Sequence, residues 1–159
     1  MKDASFTVEF TQHVLANSVG SQGERDVFLR DGEENLIFQQ SWWHSAFARA
    51  LEMEHLRHIK PGDITVDLIV NAPTEMYYRR YGKGKSRRHE AIAPGTVVTF
   101  YAVVYDRVTE STFKHLLDRI GRFIGISPYG HNLGYGTFQV LDVAVELSES
   151  AKLKQHARG

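Results

Sequence analysis

The chain lacks cysteine, which excludes a disulfide framework, a thiolate nucleophile and a cysteine-ligated metal. It also lacks any run of 18 apolar residues, and Met1 is followed by the charged residues Lys2 and Asp3. Neither a membrane span nor a secretory signal peptide is therefore expected. Because the absence of cysteine fits a reducing compartment, we expect a cytoplasmic protein.

An excess of one charge is absent as well. The 19 lysine and arginine residues balance the 19 aspartate and glutamate residues, so any site for a polyanion must come from local clustering of charge. Two nucleotide-binding motifs are also missing: there is no Gly-Lys-Ser/Thr loop, and no GxGxxG follows the first predicted strand. Nucleotide hydrolysis and dinucleotide binding are disfavoured, and no cofactor is expected.

The composition that remains is typical of a globular domain, with 42% hydrophobic and 24% charged residues. The length of 159 residues predicts one domain over residues 1–147, followed by a polar tail over residues 148–159.

Apolar periodicity predicts four long strands and two helices. Alternating or apolar runs predict strands over 5–15, 64–70, 97–105 and 137–147, of which the third is apolar enough to be central and covered on both faces. Steps of three and four predict helices that begin at Ser41, running to about His58, and at Ser111. The order β-α-β-β-α-β predicts an α+β, ferredoxin-like (RRM-like) domain, with an inserted hairpin around Asp31-Gly32 before the first helix.

A basic stretch interrupts this pattern between the second and third predicted strands. About 25 residues, 71–95, separate the two strands, and connections longer than roughly 15 residues are usually functional or disordered. Residues 79–88 contain cations and no acid, and tyrosines lie beside or within them. The cations are Arg79, Arg80, Lys83, Lys85, Arg87 and Arg88, and the tyrosines are Tyr77, Tyr78 and Tyr81. Cations for phosphates and aromatic rings for bases favour binding of single-stranded nucleic acid; the alternative is a solvated basic loop.

A glycine-rich stretch, residues 121–140, follows the second predicted helix. It holds five of the 13 glycines, and glycine permits positive φ and close approach of another backbone. The five are Gly121, Gly125, Gly130, Gly134 and Gly136. Such a loop is either a tight turn or a site for phosphate, and both interpretations stay open.

Three segments resemble a known family. FQQSWWHSAFARALE resembles the entry to the first helix in RAMP-superfamily proteins of CRISPR systems, and HEAIAPGTVVTFYAVV resembles their entry to the third strand. The segment IGISPYGHNLGYGTFQV is similar to their glycine-rich loop, which closes at Gly134, Tyr135 and Gly136. Small phage-encoded proteins have a similar ending. The resemblance covers roughly residues 36–145.

The resemblance implies an RRM-like domain that holds RNA along its backbone with the glycine-rich loop and the basic loop. The chain has Gln39-Gln40-Ser41 where the family has Pro-Gly-Ser, so no contact is carried over to that position. Related subunits polymerise along RNA, so the resemblance also implies self-association. Fold and polyanion binding are carried over, and a CRISPR role is not.

Histidines provide the alternative of catalysis. His44, His89 and His131 are the candidates for a metal-independent endoribonuclease, in which one histidine deprotonates the 2′-hydroxyl and another protonates the leaving oxygen. Each is equally an ordinary hydrogen-bonding residue. No metal site is expected, because His55 and His58 lack a convincing third ligand and the aspartates are scattered.

The leading hypothesis is therefore a protein that binds single-stranded nucleic acid, preferably RNA, without chemistry. Its predicted contacts are Arg79, Arg80, Lys83, Lys85, Arg87, Arg88, Tyr78, Tyr81, Tyr129, Gly130, Gly134, Tyr135 and Gly136. The remaining alternative is an interaction protein of phage type whose basic loop docks on an acidic protein surface. Of the adjacent tryptophans, Trp43 is predicted in the core and Trp42 at its edge.

Overall fold

Two helices and a four-stranded antiparallel sheet form the centre of the protein in a computed structural model, which describes residues 1–17, 21–23, 25–127, 129 and 133–146. The predicted tail and two site candidates, Gly130 and His131, lie outside the described residues. The helices are α1 (Gln40–Met53) and α2 (Glu110–Arg119), and α2 continues into a π-helical turn, Ile120–Ile124. The strands are β1 (Lys2–Phe10), β2 (Val14–Leu15), β3 (Ser21–Gln22), β4 (Arg25–Asp26), β5 (Leu29–Arg30), β6 (Leu36–Ile37), β7 (Ile64–Val66), β8 (Ile69–Val70), β9 (Glu75–Arg80), β10 (Ser86–Ile92), β11 (Val97–Val104) and β12 (Phe138–Glu146).

The main sheet has the strand order β12-β1-β11-β7, and all its neighbours are antiparallel. Helix α1 lies between β1 and β7 in the chain, and α2 lies between β11 and β12. The predicted α+β class with two helices and antiparallel sheets is confirmed.

The core lies between the helices and one face of this sheet. Phe6 on β1 stacks on Phe100 of β11 at 5.3 Å and meets Trp43 and Phe113 edge-on at 5.4 and 5.8 Å between ring centroids. Trp42 is also buried, so its prediction at the edge of the core is wrong. The reason is Phe38, which precedes α1 and lies 5.0 Å from the Trp42 ring.

The prediction that β11 is covered on both faces is wrong. Its residues alternate strictly between exposed and buried, and Tyr101 is 63% exposed. Because the helices lie on one face of the sheet, the apolar residues on the other face have no cover within the described chain.

Helix α1 starts and ends at residues other than those predicted, and α2 starts at a residue other than the predicted one. Helix α1 begins at Gln40 after Gln39, which provides no side-chain cap, and it ends before His55, whose φ is +56°. Helix α2 is capped by Thr109, whose Oγ1 accepts a hydrogen bond from the Thr112 amide at 3.2 Å, and not by Ser111. Among the described residues, neither helix is long and apolar enough to cross a membrane.

The predicted basic loop is a hairpin of strands β9 and β10, which close through a turn at residues 81–85. Gly82 and Gly84 have positive φ in this turn, and the Tyr81 amide donates to the Lys85 carbonyl at 3.0 Å. Strand β10 also pairs with β2 and, in parallel, with β4. The hairpin is therefore part of a second sheet.

The inserted hairpin predicted before α1 is present as strands β5 and β6, which pair with β8 in a third sheet. Asp31 closes its turn by accepting hydrogen bonds from the amides of Glu33 and Asn35 at 2.9 and 3.0 Å.

A side chain at Gly121 would clash with a neighbouring strand. A Cβ atom there would overlap the Phe138 carbonyl oxygen and lie 2.7 Å from the Phe138 ring on β12. We expect Gly121→Ala to lower the free energy of unfolding by about 1–3 kcal/mol, because a packed strand cannot move away without loss. Urea unfolding measures this. Gly62→Ala is the matched control, since nothing lies within 4 Å of its Cβ, and equal stability of the two variants would contradict the packing.

Candidate nucleic-acid interface

The β9–β10 hairpin presents two different faces because strand residues alternate in direction. On one face, Arg79 lies opposite Arg87 and Tyr77 lies opposite His89, and these side chains are buried or half-buried. On the other face, Tyr78 lies opposite Arg88, and both are exposed. Arg80, Tyr81, Lys83 and Lys85 are exposed around the turn.

A buried carboxylate anchors the inner face of the hairpin. Asp26 on β4 is fully buried and accepts two hydrogen bonds from Arg87, at 2.8 Å from Nε and 2.6 Å from Nη2. A bidentate charge-assisted pair of this kind fixes the direction of the guanidinium as well as its position. Arg87 is therefore a structural residue that ties β10 to β4.

His89 lies next to this pair and is also fully buried. Its Nδ1 lies 2.7 Å from the Ala16 carbonyl oxygen and 3.3 Å from Asp26, while its Nε2 lies 3.1 Å from Nε of Arg79. Because the arginine can only donate, Nε2 is the acceptor and Nδ1 carries the proton. Burial lowers the pKa of His89, and the charges of Arg79 and Arg87 act in the same direction.

The hairpin meets the glycine-rich stretch along this inner face. The guanidinium carbon of Arg79 lies 4.4 Å from the centroid of the Tyr129 ring, and the His89 ring meets the same tyrosine at 5.2 Å. The Tyr77 and Tyr135 hydroxyls are hydrogen-bonded at 3.0 Å. Burial, together with that hydrogen bond, raises the pKa of Tyr135 to about 12. Two of the predicted binding segments thus lie side by side.

Two glycines of this stretch are required by the turn itself. Gly125 and Gly136 both have φ of +77°, and a Cβ on Gly136 would lie 2.6 Å from the amide nitrogen of Ser127. The Ile126 amide donates to the Gly136 carbonyl at 3.2 Å, which holds the two ends of the stretch together. Gly134 differs, because its φ is +79° but nothing lies within 4 Å of its Cβ position. The tight-turn interpretation therefore applies at Gly125 and Gly136, while Gly134 stays open to a ligand.

A polar cavity that sequence reasoning missed adjoins this surface at the start of α1. It encloses about 260 Å³, and its walls come from α1, from Asn17 and from the glycine-rich stretch. The α1 residues in its wall include Ser41, Ser45 and Arg49, at steps of four along one helix face, and this spacing is the signal that was available in the sequence. The first turn of α1 carries no acidic residue and no side-chain cap. The Trp42 amide in this turn donates to the Gln39 carbonyl at 3.1 Å, which leaves the Gln40 and Ser41 amides as the candidates for an anion.

Two residues that line the cavity are close in the chain to residues that contact the hairpin. Asn17 follows Ala16, which binds His89, and Ser127 accepts a hydrogen bond from the Tyr129 amide at 3.3 Å. Nε1 of Trp42, whose side chain also lines the cavity, is buried without a hydrogen-bond partner in the described structure.

Of the candidate catalytic histidines, His44 and His89 lie in different surroundings. His44 is exposed on α1 and lines a different, small cavity with Gly62 and Ile64. Both ring nitrogens of His89 are engaged, so it has no lone pair available to act as a general base. His131 lies outside the described residues. Within those residues no group of three or more metal-ligating side chains is placed to hold an ion.

The buried state of His89 predicts a pH dependence of stability. Its pKa in the folded protein lies below the value of about 6.5 in the unfolded chain, so the unfolded chain binds the proton first as the pH falls. The free energy of unfolding therefore decreases as the pH falls below about 6.5, by at most about 1.4 kcal/mol per pH unit. Urea unfolding measures the difference in the free energy of unfolding between pH 7.5 and pH 5.5. This difference should be smaller in His89→Asn than in the wild type.

The exposed His58 provides the control for this experiment. His58→Asn should keep the wild-type pH dependence. If His89→Asn also keeps the wild-type pH dependence, His89 is not the source of that dependence and the prediction is wrong.

Comparison with known proteins gives a similarity of fold and no match of sequence. No protein-family model matches the chain, and no curated protein matches it. A chain in the cryo-EM structure of type III-B Cmr-β bound to cognate target RNA has a similar fold, with a TM-score of 0.58 at 13% sequence identity. The match covers 91% of this chain and 60% of the other, so this protein spans about three fifths of the length of that chain. At this identity the likeness shows the fold alone.

Proposed function

We propose that this protein binds single-stranded RNA along its phosphate backbone, in a groove between the β9–β10 hairpin and the glycine-rich stretch. The observation that carries the proposal is the contact of Arg79 and His89 with Tyr129, which brings the basic and glycine-rich segments to one surface. The strand order of the main sheet supports the finer assignment to a ferredoxin-like, RAMP-type domain. The similar fold in an RNA-bound Cmr-β structure supports RNA as the ligand.

The exposed residues of the hairpin have the chemistry for this role. The side chains of four exposed cations form no hydrogen bond or ion pair within the described structure, so their charges remain available for phosphates; they are Arg80, Lys83, Lys85 and Arg88. Tyr78 is 61% exposed and Tyr81 is 44% exposed, which leaves ring faces on which bases can stack. The cavity at the start of α1 takes a further phosphate, held by helix amides and Arg49.

The inner arginines have a different task in this proposal. Arg79 packs on the Tyr129 ring and Arg87 pairs with Asp26. Both arginines therefore position the hairpin instead of neutralising phosphates. His89 takes no part in cleavage in this proposal, because a histidine with both nitrogens engaged cannot exchange a proton with a 2′-hydroxyl.

Fluorescence anisotropy tests the proposal. Labelled single-stranded RNA, single-stranded DNA and duplex RNA of one sequence are titrated with the protein at several salt concentrations, with EDTA present. We expect tightest binding to single-stranded RNA, weakening linearly in log–log form as salt rises. Equal affinity for the duplex, or no binding at low salt, would refute the proposal.

A further inference from the structure

The uncovered face of the main sheet carries a second, chemically different surface. It has an apolar centre on β11, where Tyr101 is 63% and Val103 37% exposed. Val97 and Leu141 extend this apolar area at 51% and 49% exposure. The residues next to Tyr101 across the sheet are Ser5 on β1 and Asp67, whose amide donates to the Tyr101 carbonyl at 2.7 Å.

Acidic side chains surround this centre. The register places Asp3 between Glu146 of β12 and Val103 of β11, and it places Thr7 between Asp142 and Thr99. From the strand spacing and the rise per residue, the backbone of Tyr101 lies about 5 Å from Asp67, roughly 8 Å from Asp3, and roughly 12 Å from Asp142 and Glu146. We call the surface formed by Asp3, Asp67, Tyr101, Val103, Asp142 and Glu146 the acidic sheet face.

No described cation balances these acids on the four strands. Lys2 is the only lysine or arginine in β1, β7, β11 and β12, and its Nζ donates to the Val108 carbonyl at 2.6 Å. A polyanion is therefore repelled from this face, although sheets of this kind elsewhere use aromatic residues to stack RNA bases. The face is suited to a cationic ligand with some apolar surface.

We propose that the acidic sheet face docks a basic, extended segment of a partner protein, with lysine or arginine side chains on either side of an aliphatic residue. The aliphatic residue packs on Tyr101 and Val103, in a shallow concavity of about 530 Å³ that Asp3, Asp67 and Glu146 also line. The cations pair with the surrounding carboxylates, so charge complementarity decides both the partner and its register. The protein thus separates its ligands by charge, with RNA at the hairpin and a basic protein segment on the sheet.

A defined peptide tests this proposal on the full chain. Fluorescein-labelled KLKVRLK is titrated by anisotropy, and its contacts are mapped by amide chemical shifts. We expect saturable, salt-sensitive binding with shifts on β1, β7, β11 and β12. Asp67→Lys with Glu146→Lys should weaken binding at least tenfold, and Tyr101→Ser should weaken it as well.

The controls separate charge at this face from charge elsewhere. Glu33→Lys with Glu52→Lys changes two exposed acids away from the sheet and should leave peptide affinity within about twofold. The peptide ELEVELE should not bind. The acidic-face variants should still bind single-stranded RNA, so failure of the docking proposal is distinguishable from failure of the proposed function.

Three results would overturn the docking proposal. One is peptide binding that the acidic-face variants leave unchanged. Another is a homodimer that Asp67→Lys with Glu146→Lys dissociates, which would make a second copy the occupant. The third is tighter peptide binding after Lys152→Glu, Lys154→Glu and Arg158→Glu, which would make the chain's own basic C-terminal residues the occupant.

Discussion

Replacing Arg80, Lys83 and Lys85 together with alanine should weaken binding of single-stranded RNA roughly 10- to 100-fold near 0.15 M salt. These side chains are exposed around the hairpin turn, so their removal takes away phosphate contacts without disturbing the packed interior. If each residue contacts one phosphate, the slope of log affinity against log salt should also become shallower by about 2, at roughly 0.7 per contact. Fluorescence anisotropy across a salt series measures both changes.

A matched control removes three cations from another part of the surface. Arg57, Lys60 and Lys114 are also exposed, and they lie after α1 and on α2 instead of on the hairpin. Their replacement by alanine produces the same change in net charge and should leave the salt slope within about 0.5. Equal losses in the two variants would mean that RNA responds only to net charge, and the groove would not exist.

Asp26→Ala should lower the free energy of unfolding by about 3 kcal/mol, the lower end of the range for breaking a buried ion pair. The substitution leaves Arg87 without the carboxylate that receives two of its hydrogen bonds, and it removes the charge beside His89. The lower end is expected because Arg87 is 28% exposed and can turn toward water. Urea unfolding measures the loss.

Asp118→Ala is the control for this prediction, because Asp118 forms an exposed pair with Arg122 at 2.9 Å. Surface pairs contribute about 0–1 kcal/mol, so this variant should stay close to the wild type. The double variant Asp26→Ala with Arg87→Met should recover part of the loss, since no unpaired charge remains. Similar stability of Asp26→Ala and Asp118→Ala would show that Asp26 does not anchor the hairpin.

The sequence alone identifies the hairpin as a candidate binding segment, but it does not predict that the segment forms two strands. Cations and tyrosines identify residues 77–88 as a nucleic-acid candidate. The strand signal is an alternation of apolar and polar residues, and here both faces are polar, with Arg79 inside and Arg80 outside. A strand that is polar on both faces can be recognised only from the strands with which it pairs. The pairing of β10 with β4 connects residues more than 60 positions apart, so no local pattern reveals it.

Contacts between distant parts of the chain also explain why the residues that anchor the hairpin could not be predicted. Asp26 lies in no segment for which a local pattern predicts burial, and its burial depends on Arg87, 61 positions later. The glycine-rich stretch was recognisable from composition, but the partner that makes Gly121 necessary is Phe138 on another element. The order of helices and long strands was predictable because each has local apolar periodicity, whereas the cover on Trp42 and the open face of β11 depend on tertiary contacts.

Ultraviolet cross-linking of bound single-stranded RNA, followed by peptide mass spectrometry, identifies the residues that contact the RNA. If RNA lies along the hairpin, cross-links should form at Tyr78 and Tyr81 on the hairpin and at Tyr129 beside it, and all of them should fade when salt is raised. Cross-links at Tyr101 on the uncovered face of the sheet, with none at the hairpin, would contradict this proposal.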